Sequence, residues 1–258
     1  SEEFGRSAIL PKKFSTTSFA NLYSYRGDGP VTAYENALVQ SAEIRSLGLN
    51  VNLGVVADVW SDPSNRQIGT RAFSDDFEKA SLLLSYFLQG YRERNLLCAL
   101  KVFPGTGEAS LQADGSLLIE KEKAALSAEE WQTYRTGIRL GAELILIGRV
   151  MVPDIDPENP ACFSPEMVRI LREELGFNGL IVSDELTDED IEAKAENCIK
   201  ALSAGCDILF CPVHSPGGLD DCVKAIREAI AGGSLSWDRI EESVIRILTM
   251  KIYRGLLS

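Results

Sequence analysis

The stretch Gly179-Leu-Ile-Val-Ser-Asp-Glu-Leu186 constrains the fold more than any other part of the chain. Asn178 and Gly179 mark a turn, and Leu180, Ile181 and Val182 form a short aliphatic run without polar alternation. Such a run reads as a strand buried on both faces, the pattern of a parallel sheet. It stops abruptly at Ser183, Asp184 and Glu185. Carboxylates at the end of a buried strand are costly unless they serve a site or find partners. In parallel α/β folds the C-terminal strand ends are where sites form. Leu96-Leu-Cys-Ala-Leu-Lys-Val-Phe-Pro-Gly105 behaves the same way, aliphatic up to Lys101 and then a Pro-Gly turn. Two strand ends of opposite charge point to one polar pocket.

The rest of the chain alternates similar runs with helical patterns. The runs predict parallel strands at about 51–56, 97–102, 144–149, 180–184 and 207–211, neighbouring in that order. Between them, Tyr34 to Leu47 has helical periodicity and Gly48 ends it. Asp75 to Arg94 reads as a long helix with Leu82, Leu83, Tyr86 and Phe87 as its apolar face. Ser127-Ala-Glu-Glu130 reads as a capping box opening another helix, and Ser164-Pro165 as a helix start with proline in the first turn. Further helices are expected near Asp220 and Asp238. Alternation of this kind implies an α/β fold with a parallel sheet. With 258 residues and no linker-like stretch, the chain reads as one domain over residues 1–258.

Charge and cysteine usage narrow the function. A net charge of −12 argues against nucleic acid, whose phosphates need a basic footprint. No apolar run approaches the roughly 20 residues that span a bilayer. Cys98, Cys162, Cys198, Cys206, Cys211 and Cys222 contain no C-x-x-C pair, so a zinc or thioredoxin-like motif lacks support. They read as buried, reduced thiols, which favours a reducing, cytoplasmic compartment. Neither a metal nor a cofactor is expected.

Several segments carry a resemblance. Lys101-Val-Phe-Pro-Gly-Thr-Gly107 is similar to the Lys-His-Phe-Pro-Gly-His-Gly motif of family 3 glycoside hydrolases, in the branch of bacterial β-N-acetylglucosaminidases. Glu173 to Leu186 resembles that family's nucleophile segment. Val55-Val-Ala-Asp-Val59 with Ile68-Gly-Thr-Arg-Ala-Phe73 resembles its substrate-binding strand and loop. Ser203 to Leu209 and Arg239 to Leu248 match its last strand and closing helix. The resemblance runs in the same order over nearly the whole chain. It implies a (β/α)8 barrel rather than a doubly wound sheet. A closed barrel needs eight strands, and five are legible here. Ser1-Glu-Glu-Phe-Gly-Arg6 resembles the segment that leaves the family's third strand, so three βα units are expected upstream. Either the chain is a fragment of a longer protein, the preferred reading, or another chain completes the barrel.

The resemblance also implies chemistry, retaining hydrolysis of a glycoside, and with it residue roles. Asp184 stands at the nucleophile position; its alternative is to cap the helix that follows. Lys101 and Arg71 match residues that hydrogen-bond sugar hydroxyls, although Arg71 is also placed to bridge to Asp75 or Asp76. Asp58 matches a strand-end carboxylate. Arg149 stands where the family has histidine, and three readings are open: it pairs with Asp184, it binds an anionic substrate, or it plays no part. Val102 and Thr106 replace two further histidines. The acid/base of the branch is a histidine held by an aspartate; Asp114 and Gln112 occupy those two positions. Asp114 serves as a general acid only if burial raises its pKa. The sole histidine, His214, lies in the loop Cys211 to Gly218, and reads as structural or as a substitute donor. Two function classes follow: a glycosidase that is impaired or of altered specificity, and a non-catalytic relative that binds a saccharide or a protein.

Overall fold

The computed structural model describes residues 29–65, 68–186, 191–211 and 218–257; Ser1–Arg6 and His214 lie outside them. The five aliphatic runs form five strands: β1 Val51–Val56, β2 Leu97–Phe103, β5 Leu144–Ile147, β7 Leu180–Glu185 and β8 Ile208–Phe210. They make one wholly parallel sheet in the order β1-β2-β5-β7-β8, as expected. Helices connect them: α1 Gly29–Ser46 precedes β1, and α2 Phe77–Glu93 joins β1 to β2. Short helices α3 Lys123–Ala128 and α4 Trp131–Arg139 precede β5, and α5 Pro165–Arg169 precedes β7. Then α6 Ile191–Ala204 joins β7 to β8, and α7 Gly218–Ala231 and α8 Trp237–Tyr253 complete the chain. Successive βα units of this kind form part of a (β/α)8-type barrel.

Pleating divides the strand residues between two cores. Cys98, Leu100, Ile145, Ile147 and Ile181 face the connecting helices, with Leu83, Leu84, Phe87, Tyr91, Trp131 and Tyr134. Leu97, Ala99, Leu144, Leu146, Leu180 and Val182 form the opposite face, against Ile247, Met250 and Leu256 from the end of the chain. Lys101 continues the parity of Leu97 and Ala99, and Asp184 that of Leu180 and Val182. Both side chains therefore crown the same face.

Several local readings shift. In α2, Leu82 and Tyr86 are 49% and 39% exposed, while Ala80, Leu83, Leu84, Phe87, Leu88 and Tyr91 are buried. The buried stripe is rotated by about one residue from the expected face, and Asp76 caps the helix by accepting from Lys79 N at 2.8 Å. Ser127 opens no helix: it lies inside α3, and its carbonyl and hydroxyl accept from Arg135. The Ser164 cap holds, accepting from Met167 N at 3.2 Å with Pro165 in the first turn. The strand expected at 144–149 ends at Ile147. Val150–Met151 instead forms β6, which pairs with a hairpin of β3 Ser110–Leu111 and β4 Leu117–Leu118 in a small second sheet.

The first end of β8 is fixed by charge. Asp207 is buried and accepts from Arg172 Nη2 at 2.6 Å, Ser243 Oγ at 2.8 Å, Arg246 Nη1 at 3.2 Å and Arg239 Nη2 at 3.3 Å. The Ile181 N–H donates to it at 2.9 Å. One carboxylate thereby ties β7, β8 and α8 together. All six cysteines are free thiols.

Candidate active site

At the C-terminal strand ends, Asp58, Arg71, Lys101, Thr106, Arg149 and Asp184 line one cavity of about 150 Å³. A larger cavity of about 500 Å³ lies between the opposite core and α8, lined mainly by apolar residues such as Leu53, Leu97, Ile247 and Met250. The smaller one holds the charged groups.

Asp184 is half-buried at the fifth position of β7. Its Oδ2 accepts from the Arg149 backbone N–H at 3.0 Å and its Oδ1 from the Glu185 N–H at 2.8 Å. Both donors sit at strand ends. Fixed by two backbone donors, its carboxylate is preorganised at the cavity wall. The Arg149 guanidinium lies over the Phe163 ring at 5.8 Å, a cation–π contact. Lys101 is 7% exposed and lines the same cavity as Asp184. Arg71 reaches the cavity from the single turn Gly69–Arg71 that follows β1.

Asp58 lies two residues past β1 and is almost fully buried. Its Oδ1 accepts from Tyr134 Oη at 2.9 Å and Val102 N at 3.1 Å, and its Oδ2 from Thr106 Oγ1 at 2.6 Å. Burial pushes its pKa up, and the hydrogen bonds from Thr106, Tyr134 and Val102 pull it back. Asp58 therefore fixes the loop that leaves β2. The same loop accepts Asn65 Nδ2 on the carbonyls of Thr106 and Gly107, at 2.6 and 3.0 Å, and Trp131 Nε1 on Pro104 O at 3.0 Å. Gly107 is required there, since a Cβ would stand 2.2 Å from Val59 O.

Asp114 differs. It is exposed at the tip of the β3–β4 hairpin and accepts from Ser116 N and Oγ at 2.9 and 2.7 Å. Those bonds hold its pKa below the usual carboxylate range. The burial that a general acid would need at this position is therefore missing, and Asp114 does not line the cavity. Its hairpin does, through Leu117.

Sequence reasoning missed Tyr134, Asn65 and Glu130. Glu130 is 1% exposed, and neither carboxylate oxygen has a hydrogen-bond donor among the described residues. It packs on Gly105 and Gly107 behind the β2 loop; Lys121 Nζ is 3.8 Å away and is paired more closely with Glu108 and Glu129. Burial, with Asp58 nearby, raises its pKa to about 8. No sequence pattern marks Tyr134 or Asn65, whose contacts lie distant in the chain, and Glu130 was legible only as the end of the expected capping box Ser127–Glu130.

Residues 2–250 match the Glycosyl hydrolase family 3 N terminal domain. A protein named beta-hexosaminidase from Xylella fastidiosa (strain 9a5c) is 30% identical over 221 residues, covering 80% of this chain and 64% of that protein. The chain thus spans less than two thirds of that relative. A glycoside hydrolase family 3 β-N-acetylglucosaminidase from Paenibacillus sp. superposes with a TM-score of 0.80 at 26% identity, over 88% of this chain and 44% of that one. A β-N-acetylhexosaminidase from Beutenbergia cavernae gives 0.75 at 27% identity, over 86% and 68%.

Proposed function

The chain belongs to the glycosyl hydrolase family 3 N-terminal domain family, and on that footing we propose that its cavity binds a β-glycoside and that Asp184 attacks the anomeric carbon. The observation that carries this reading is the convergence of Asp184, Lys101 and Arg71 on one small cavity at the strand ends. In a retaining mechanism the carboxylate forms a glycosyl ester, and a second group protonates the departing oxygen and later deprotonates water. Asp184, held by two backbone N–H groups, suits the first role. Lys101 and Arg71 offer donors for sugar hydroxyls, and Arg149 adds a cation beside the nucleophile. The relatives named beta-hexosaminidase and β-N-acetylglucosaminidase support an N-acetylated amino sugar as the substrate class.

The proton-transfer role is poorly filled. Asp114 is exposed and acidic, and the Asp58 oxygens already accept three donors from the protein. Loss of a general acid costs about a hundred- to ten-thousand-fold in rate. The site therefore turns over slowly, and best on substrates whose leaving group needs no proton. Saccharide binding without turnover is the second reading, favoured by the same exposure of Asp114.

The natural full-length protein tests the nucleophile. Incubation with a 2-fluoro glycoside bearing a good leaving group, followed by peptide mass spectrometry, is expected to find the sugar on the peptide containing Asp184. An ester on another carboxylate removes Asp184 from this role. Saccharide binding with no ester at all favours the second reading.

A further inference from the structure

We infer that Cys198, Cys211 and Cys222 form a binding site for one soft, thiophilic d10 cation, Cu(I) or Zn(II). The three Sγ atoms all lie within 4.8 Å of one another. They come from three elements: Cys198 from α6, Cys222 from α7, and Cys211 from the residue directly after β8. Their approach is thus a product of tertiary packing and not of local spacing, which is why no C-x-x-C pair announced it. A metal–sulfur bond of about 2.3 Å places the sulfurs of a trigonal trithiolate roughly 4 Å apart. The observed cluster reaches that geometry with sub-ångström to ångström side-chain shifts.

The donor set selects the ion. Three thiolates without a carboxylate suit soft cations and not Mg(II), Ca(II) or Mn(II), which take oxygen ligands. Cys198 and Cys222 are buried, whereas Cys211 is half-buried and gives an ion a way in. Binding displaces three thiol protons, so Cu(I) leaves a cluster of charge −2 and Zn(II) one of −1. Cu(I) is satisfied by three sulfurs. Zn(II) calls for a fourth ligand, which solvent at the Cys211 side can supply. Occupancy would tie β8 to α6 and α7 beside the strand that carries Asp184, since Phe210 N donates to Ser183 Oγ at 3.0 Å and Leu186 N to Phe210 O at 2.9 Å.

The test is titration of the reduced, metal-free protein under anaerobic conditions, with Zn(II) against a chromophoric indicator and Cu(I) against bicinchoninate. One equivalent of at least one ion is expected to bind with a submicromolar Kd, and Cd(II) to produce a thiolate charge-transfer band in the ultraviolet. Cys211→Ser and Cys222→Ser are each expected to weaken binding by roughly 100-fold or more, while Cys98→Ser, a buried thiol elsewhere, leaves it unchanged. Tighter Cu(I) identifies the three-sulfur form; tighter Zn(II) identifies a completed tetrahedral form. Binding no tighter than micromolar for both ions, no band with Cd(II) in the unsubstituted protein, or equal loss in Cys98→Ser overturns the inference. The cadmium band is read on the unsubstituted chain, so a variant that fails to fold does not shield the proposal.

Discussion

At Glu130 a carboxyl is buried without a hydrogen-bond donor among the described residues, and this single residue sets a pH dependence. Its folded pKa is about 8, against 4.5 for the free group. Below the lower value it is neutral in both states. Between the two values the unfolded chain ionises and the folded chain does not, so stability falls as pH rises, and above about 8 the cost stays constant. At about 1.4 kcal/mol per unit, the loss is a few kcal/mol at most. Glu130→Gln is expected to flatten the melting temperature between pH 5 and pH 9, while the unsubstituted protein declines. A parallel decline in both proteins contradicts the assignment. At Asp114, exposure and the Ser116 hydrogen bonds lead to a second expectation: Asp114→Asn changes the glycosidase rate by less than about twofold, because no proton transfer of the usual hundredfold worth is lost. The double change Gln112→Asp with Asp114→His rebuilds the family dyad on a hairpin that borders the cavity. It is expected to raise the rate about tenfold or more, only while Asp184 is present. Steady-state kinetics of the three variants decide both points.

At the scale of elements, strands were the most legible feature and small additions to them the least. β1, β2, β5, β7 and β8 are near-continuous aliphatic runs, and their parallel order follows from alternation with helices. Asp58, Lys101, Arg149 and Asp184 could be placed together because each follows or ends such a run, whereas Arg71 was placed only by the family resemblance. The hairpin Ser110–Leu118 was not legible, since two-residue strands with exposed or half-exposed side chains leave no periodic trace. The expected bound at 149 overran Ile147 because Val150-Met-Val152 resumes an aliphatic run just past Gly148 and Arg149, while the chain has already left the sheet. In α2, Leu82 and Tyr86 are apolar yet outward, so hydrophobicity alone marked a stripe one residue off. Asp207 gives the prediction at this scale. It joins three arginines to β7, β8 and α8, and removing one partner of a buried pair typically costs about 3–5 kcal/mol. Asp207→Ala is expected to lower stability by that order in denaturant unfolding. A change under about 1 kcal/mol, within the range of surface ion pairs, contradicts the anchoring role.

For the whole molecule, the described sheet has outer strands β1 and β8, and α8 presents Ile245, Leu248, Ile252 and Tyr253 to solvent, the last at 85% exposure. Among the described residues nothing pairs with the outer edges of these two strands, and such edges beside clustered apolar side chains favour association. Residues 1–258 alone are therefore expected to sediment as associated species, and a monodisperse monomer with a cooperative melt counts against this. The cavity that gathers Asp184, Lys101 and Arg71 is the centre of the proposed function. The most direct measurement compares kcat/KM of the natural full-length protein on 2,4-dinitrophenyl and methyl N-acetyl-β-glucosaminides, with Asp184→Ala beside it. Measurable turnover of the dinitrophenyl glycoside is predicted, abolished by Asp184→Ala, with little or none of the methyl glycoside. Methyl glycoside hydrolysis at an ordinary enzymatic rate, roughly 10 per second, or dinitrophenyl turnover that survives Asp184→Ala, would contradict this reading of the cavity.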